Sequence, residues 1–359
     1  MDSERTLVIV FGASSFANHP EPLRELEAAY PHSHLVGCST SGEIFGAKVA
    51  DETLSVAVMC FEGSDVATAC APVGDASDSF DVGQELAKRL TRADLKAILV
   101  LSDGLNVNGS DLVSGINSTL PASVVVTGGL AGDGDKFKST WVMNEGSPRS
   151  GVVSAVALYG DRVCVGHGSK GGWDRFGPER IVTRSVGNVL YELDGKPALE
   201  LYKQYLGDRA AGLPATALFF PLALRADKND TKVLVRTVLA VGEVDQSMTF
   251  AGNIPEGHLA QLMRGNFERL IEGASEAASH SRAAKSDSKA DTLAIAISCV
   301  GRRLVLGERA EEEIEATLQE LPRHTKQIGF YSYGEISPYA SGHCDLHNQT
   351  MTLTTISES

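Results

Sequence analysis

Gly37-Cys38-Ser39-Thr40-Ser41-Gly42-Glu43-Ile44, near the start of the chain, and Gly329-Phe330-Tyr331-Ser332-Tyr333-Gly334-Glu335-Ile336, near its end, share Gly, Gly, Glu and Ile in register. That recurrence reads as a duplicated unit. Around the first copy, Thr6–Phe11 and His34–Gly37 read as apolar strands, Glu21–Tyr30 as an amphipathic helix and Leu54–Cys60 as a returning strand. Around the second, Thr292–Ser298, Glu311–Leu321, Gln327–Ser332 and Asn348–Ile356 repeat the order. A weaker third copy runs from Lys96–Ser102 through a helix at Asp111–Asn117 and a strand at Val124–Thr127. It opens into Gly128-Gly129-Leu130-Ala131-Gly132-Asp133-Gly134 and returns at Val152–Tyr159.

The unit is therefore strand, helix, strand, Gly-rich turn and returning strand, which predicts an α/β protein of mixed sheets. A strand reached through a helical crossover runs parallel to its predecessor, and its carboxyl end opens onto a crevice. Each Gly-rich segment falls at such an end. Glycine permits positive φ and close backbone approach, so these loops serve either as tight turns or as the walls of a pocket.

At 359 residues the chain is long enough for two domains, each with its own core. A net charge of −14 without a basic run disfavours nucleic acid and anionic membrane as partners. No stretch is long and apolar enough to span a bilayer, and Met1–Thr6 runs into a strand without the apolar core of a secretory signal. The six cysteines, Cys38, Cys60, Cys70, Cys164, Cys299 and Cys344, contain no C-x-x-C pair and suit reduced thiols, so the expected location is cytoplasmic.

The Gly-rich run Val163–Gly172 marks the expected domain boundary, giving domains of residues 1–168 and 169–359. The second begins with a strand at Glu179–Ser185 and a helix at Ala198–Tyr205, followed by strands at Leu218–Leu224 and Lys232–Val241. Met248–Gly257 is expected to introduce a long helix reaching about Ala278. Residues 279–290, rich in Ser, Ala, Lys and Asp, read as a mobile loop.

Taken together, these segments resemble the FIST family, which pairs FIST-N and FIST-C domains. The resemblance rests on the segments at Gly37–Ile44, Gly128–Asp133 and Val152–Leu158 in the first half. In the second half it rests on Trp173, Val182–Ser185, Tyr191–Ala198, Ser298–Arg302, Gly329–Ile336 and Leu346–Met351. It implies a sensory, ligand-binding module rather than an enzyme. Small ligands such as amino acids are implied, with output through a histidine kinase, a cyclic-dinucleotide enzyme or a chemotaxis protein. It also implies, for a subset, haem-based sensing of nitric oxide. The chain carries no kinase or cyclase segment of its own, so the expected signal passes through a separate partner.

The ligand-lining candidates are Cys38, Ser39, Gly128, Gly129, Asp133, Cys299, Arg302, Tyr331, Tyr333, Glu335 and Asn348. Glu43 and Glu335 follow Gly at equivalent turns, where a carboxylate either anchors a ligand or closes the loop on itself. Tyr331 and Tyr333 add aromatic walls. Arg302 either grips a ligand carboxylate, also lowering the pKa of the Cys299 thiol, or points into solvent beside Arg303. Haem would need an axial ligand such as His167, His258 or His347, and the sequence does not choose among them. A hydrolase using Cys38 or Ser39 is the rival class, but neither turn completes G-x-S-x-G.

Overall fold

The computed structural model describes residues 1–282, 290–340 and 342–359. The first unit comprises strand β1 (Thr6–Gly12), helix α1 (Glu21–Ala29), β2 (His34–Ser39), the strand β3 (Glu43–Phe45) that leaves the Gly-rich turn, and the return strand β4 (Leu54–Cys60). Strand β5 (Asp65–Pro72) and helix α2 (Ser79–Leu90) lead into the second unit. That unit is β6 (Leu95–Ser102), α3 (Gly109–Asn117), β7 (Val125–Leu130), β8 (Val142–Asn144) and β9 (Val152–Tyr159). Strand β10 (Val163–Lys170) follows, then an inserted sheet with helix α4 (Ala198–Leu206), then helix α5 (Phe267–His280). The third unit is β11 (Thr292–Cys299), α6 (Val300–Leu306), α7 (Ala310–Glu320), β12 (Thr325–Ser332), β13 (Gly334–Pro338) and β14 (Met351–Glu358).

Each unit pairs its first two long strands in parallel, β1 with β2, β6 with β7 and β11 with β12, as the helical crossovers require. Each also pairs its return strand antiparallel to the first: β4 on β1, β9 on β6 and β14 on β11. The strand leaving each Gly-rich turn does not stay at home. β3 of the first unit adds to β12 of the third, β13 of the third adds to β7 of the second, and β8 of the second adds to β2 of the first. The exchange is cyclic, so the units are related by a pseudo-three-fold arrangement in which every sheet borrows a strand from a neighbour.

This exchange alters the expected domain plan. A cut at residue 168 falls inside β10, which pairs along its whole length with β14 at the end of the chain. One shared core lies between the units: Leu7, Ile9 and Phe11 of the first, Leu99 and Val156 of the second and Ile295 and Phe330 of the third all belong to it. β1 and β11 are buried at every position, which is why they read as unbroken apolar runs rather than alternating ones.

What stands apart is the insert. Its strands include Asp174–Val186, Val189–Leu193, Leu222–Arg225 and Ser247–Phe250, and with α4 they enclose a separate core around Leu190, Tyr202, Met248 and Phe250. The expected long helix from about 258 is corrected here: Leu259–Arg264 is a strand, paired with residues 179–181 and 222–225, and α5 starts only at Phe267, capped by the Asn266 side chain. Of the expected mobile loop, Ser279 and His280 close α5, and residues 283–289 lie outside the described residues.

Candidate functional site

The three Gly-rich turns meet. The Ser41 N–H donates to the Tyr331 carbonyl (2.8 Å), the Tyr333 N–H to the Leu130 carbonyl (3.1 Å) and the Gly132 N–H to the Ser39 carbonyl (3.0 Å). These are equivalent positions in the three units, so the bonds form a closed ring running from one unit to the next. Close approach at this ring requires glycine at one position of each second strand. A Cβ on Gly37, Gly128 or Gly329 would lie 2.2, 1.9 or 1.8 Å from the facing carbonyl of Val10, Val100 or Ala296.

Two of the turns are fastened by the same device. Glu43 accepts the Thr40 hydroxyl at Oε1, and its Oε2 accepts the Thr53 N–H at 3.0 Å. Glu335 accepts the Ser332 hydroxyl at 2.7 Å and the Thr350 N–H at 3.3 Å. In the second unit the acid comes from a different strand end: Asp103, after β6, accepts the Gly151 N–H (2.9 Å) and the Thr140 hydroxyl (3.1 Å). Burial raises Glu335 up to about 8, against the pull of Ser332, Thr350 and Arg302. Burial also raises Glu43, which Thr40 and Thr53 oppose.

Most of the sequence candidates lie inside this junction rather than on a cavity. Cys38, Ser39, Tyr331, Glu335 and Asn348 are wholly buried, and Cys299 is nearly so. The Ser39 hydroxyl accepts the Trp141 N–H at 3.0 Å, and burial pushes the Cys38 thiol well up, so neither is poised as a hydrolase nucleophile. Gly128 and Gly129 face Val100 and Ile297 in the packed interior. Asn348 donates to the His347 carbonyl at 2.9 Å.

Arg302 is a correction. Its guanidinium is fully buried, paired with Glu313 at 2.5 Å, and it also donates to the carbonyls of Leu270, Gln349 and Gly171. Glu313 accepts the Ser298 and Tyr331 hydroxyls as well, at 3.1 and 3.0 Å. The arginine fixes α6 against α7 and has no donor left for a ligand. Nor does it activate Cys299, whose thiol burial and the neighbouring Glu335 push up.

Asp133 and Tyr333 remain at the junction's outer side. The Tyr333 hydroxyl donates to Asp133, whose oxygens also accept the N–H groups of Phe137, Lys138 and Ser139 at 2.8 Å each. Burial opposes its charge, but these donors together hold the Asp133 carboxyl below its usual range. Phe137 stacks on Tyr333 with centroids 4.4 Å apart. The second Gly-rich loop is thereby rigidly seated on the third.

On that outer side lies a cavity of about 490 Å3, walled by Thr40–Glu43, Asp51, Glu52, Asp133–Lys136 and the α6 residues Val300, Arg303 and Leu304. Arg303 is its main cation. It donates to the Ser41 carbonyl at 2.6 Å, forms a two-bond pair with Asp51 at 2.7 Å each, and stands 5.5 Å from the centre of the Tyr331 ring. Gly42, at φ 129°, makes room for it, since a Cβ there would lie 2.3 Å from the guanidinium. Sequence reasoning fixed on Arg302 and passed over Arg303. The available signal was helical: a step of about 100° puts two successive arginines on different faces, one inward and one onto the rim.

Cyclically exchanged strands around a polar, open-sided cavity define a mixed α/β architecture. The FIST N domain model matches residues 6–196 and the FIST C domain model residues 198–338. The chain belongs to the FIST family, whose domains are associated with sensory signal transduction. The seam between the two matched regions falls within the inserted sheet, immediately before α4. Comparison with curated proteins gives no match. Among the described residues no helix is long and apolar enough to cross a membrane.

Proposed function

We propose that this protein is a sensory module that takes a small zwitterionic molecule, amino-acid-like in its charges, into the cavity at the three-loop junction. It reports occupancy to a separate signalling protein, of the histidine-kinase, cyclic-dinucleotide or chemotaxis kind. The observation that carries the reading is Arg303 on one wall, with Lys136 and the carboxylates of Asp51, Glu52 and Asp135 around the same space. A ligand carboxylate can take the two-bond seat that Asp51 now occupies. Asp51 is 65% exposed, and such surface pairs are worth only about 0–1 kcal/mol, so displacing it is cheap. The freed Asp51, with Glu52 and Asp135, then suits a ligand ammonium. The volume lies within the roughly 300–1,000 Å3 usual for small-molecule sites.

Because the cavity walls come from all three units, occupancy would couple the turns to α6 and bias how the units sit together. A thermal-shift screen of amino acids and related metabolites tests this. Stabilisation without turnover, lost in Arg303→Met, is the expected result. Hydrolysis of esters or amides abolished by Ser39→Ala would replace the binding reading with an enzymatic one.

A second reading is favoured by His167, whose Nδ1 is buried without a partner and whose ring burial holds neutral. His167 lines a cleft of about 760 Å3 that also contains Trp173, Val233, Val235, Met263, Lys170 and Arg282. These residues fit haem: His167 would hold its iron, the apolar side chains would shield it from water, and Lys170 and Arg282 would balance its carboxylates. His347 shares the cleft, but its Nε2 is engaged by the Ser337 carbonyl at 2.9 Å and burial brings it down to about 4. His258 lines a different pocket, beside Asp230. Bound haem would supply an iron centre able to take nitric oxide. A sharp, stoichiometric Soret band lost in His167→Ala supports this reading, and broad absorbance indifferent to that substitution removes it.

A further inference from the structure

The cyclic arrangement is complete except in one place. The return strand β9 is covered along its outer edge by β5, in antiparallel register from Val152 opposite Pro72 to Tyr159 opposite Asp65. The return strand β14 is covered in the same way by β10, from Val163 opposite Glu358 to Lys170 opposite Met351. The third return strand, β4, ends its sheet, and its pairing among the described residues is with β1 alone.

We propose that the outer edge of β4 is an acceptor site for an extended strand of a partner protein, pairing antiparallel over residues 54–61. The space for it exists. A groove of about 790 Å3 runs along Val56–Phe61 and is closed on its far side by Phe45, Leu293 and Thr325–Ile328. That far side belongs to β11 and β12 of the third unit and to β3, which the first unit adds to β12. At the occupied sites the covering strands take the matching place: β5 packs against β2, and β10 against β7 and β13. The groove is therefore where the repeat calls for another strand.

The edge is also undefended. Leu54-Ser55-Val56-Ala57-Val58-Met59-Cys60-Phe61 contains no charged residue and no proline, and the pairing of β4 with β1 shows no bulge. Natural edge strands normally carry such features unless something covers them. Phe45, 65% exposed, adds an apolar floor beside it.

The chemistry of the occupant follows from the two strands that fill the equivalent edges, Asp65-Val-Ala-Thr-Ala-Cys-Ala-Pro72 and Val163-Cys-Val-Gly-His-Gly-Ser-Lys170. Both are small-residue strands with at most one end residue charged at neutral pH, held chiefly through the backbone. A partner segment of that kind fits by strand addition. A second copy of this chain fits less well. Antiparallel self-pairing that overlaps all of β4 sets Glu52 opposite Glu62 of the other copy, and each chain carries a net charge of −14. The site is independent of the ligand cavity, so it stands whichever small molecule binds.

The probe is a fluorescent peptide with the sequence of residues 162–171, Cys164 replaced by serine, titrated into the full chain and followed by anisotropy. Expected are saturable binding, a loss of at least tenfold when alternate peptide amides are N-methylated, and a similar loss in Val58→Lys that melts at the wild-type temperature. If Val58→Lys does not fold, the N-methylated peptide alone decides. No saturable binding at millimolar peptide overturns the proposal, as does binding indifferent to N-methylation. A concentration-dependent dimer dissolved by Val58→Lys also overturns it, by giving the edge to a second copy.

Discussion

Glu43 and Glu335 are the same residue in two different units: each accepts the hydroxyl of the residue three before it and the N–H of the threonine that opens the return strand. Their environments then diverge. Glu43 also takes the Thr53 hydroxyl at 2.8 Å and lies beside the open cavity, whereas Glu335 is fully buried next to Cys299.

That difference gives a pH prediction. Glu335 is raised from 4.5 to about 8 in the folded protein, so between those values the folded state holds a proton that the unfolded chain has lost. The stabilisation is fully present below about pH 4.5 and is lost as pH rises through 8, with a slope of at most about 1.4 kcal/mol per pH unit. Denaturant unfolding of Glu335→Gln across pH 5–8 should show a flatter profile than wild type. An unchanged profile would mean that Glu335 is ionised in the fold.

Arg302 and Glu313 make the deepest ion pair described, with both side chains fully buried. Removing one partner strands the other charge, so Arg302→Met should cost about 3–5 kcal/mol in urea unfolding. The double variant Arg302→Met with Glu313→Leu should recover part of that loss. A double variant as unstable as the sum of the single ones would show that the hydrogen bonds to Ser298, Tyr331 and the Leu270 carbonyl matter more than the pair.

Gly329 tests the strand exchange. A Cβ there would lie 1.8 Å from the Ala296 carbonyl, and accommodating it should cost about 1–3 kcal/mol. Because the three units share one core, native-state hydrogen exchange in Gly329→Ala should show β1, β6 and β11 losing protection together. Loss confined to β11 and β12 would indicate that the third unit opens alone.

The repeat was legible because its strands are buried on both faces and its turns need glycine where backbones nearly touch, constraints that mark Gly37, Gly128 and Gly329 alike. The second copy read weakly for a physical reason: its fastening acid is Asp103, supplied from the end of β6 rather than from the turn. The exchange itself left no local trace. The pairing of Glu43 with Phe330 joins residues at opposite ends of the chain, and neither strand's pattern names its partner. Leu259, Leu262 and Met263 have helical spacing, yet two flanking strands capture the segment into a sheet, which is tertiary pairing overriding a short periodic signal. The cavity was found only in part: Asp133 reaches it and the Arg302-Arg303 step on α6 could have marked Arg303, whereas Lys136 and Asp51 carry no pattern that separates them from ordinary surface charges.

The measurement that bears most directly on the sensory reading is isothermal titration of the amino acid selected by the thermal-shift screen into wild type, Arg303→Met and His167→Ala. The account predicts one site per chain, binding weakened at least tenfold in Arg303→Met and unchanged in His167→Ala. Equal affinity for wild type and Arg303→Met would contradict it, and would move ligand recognition away from the junction of the three turns.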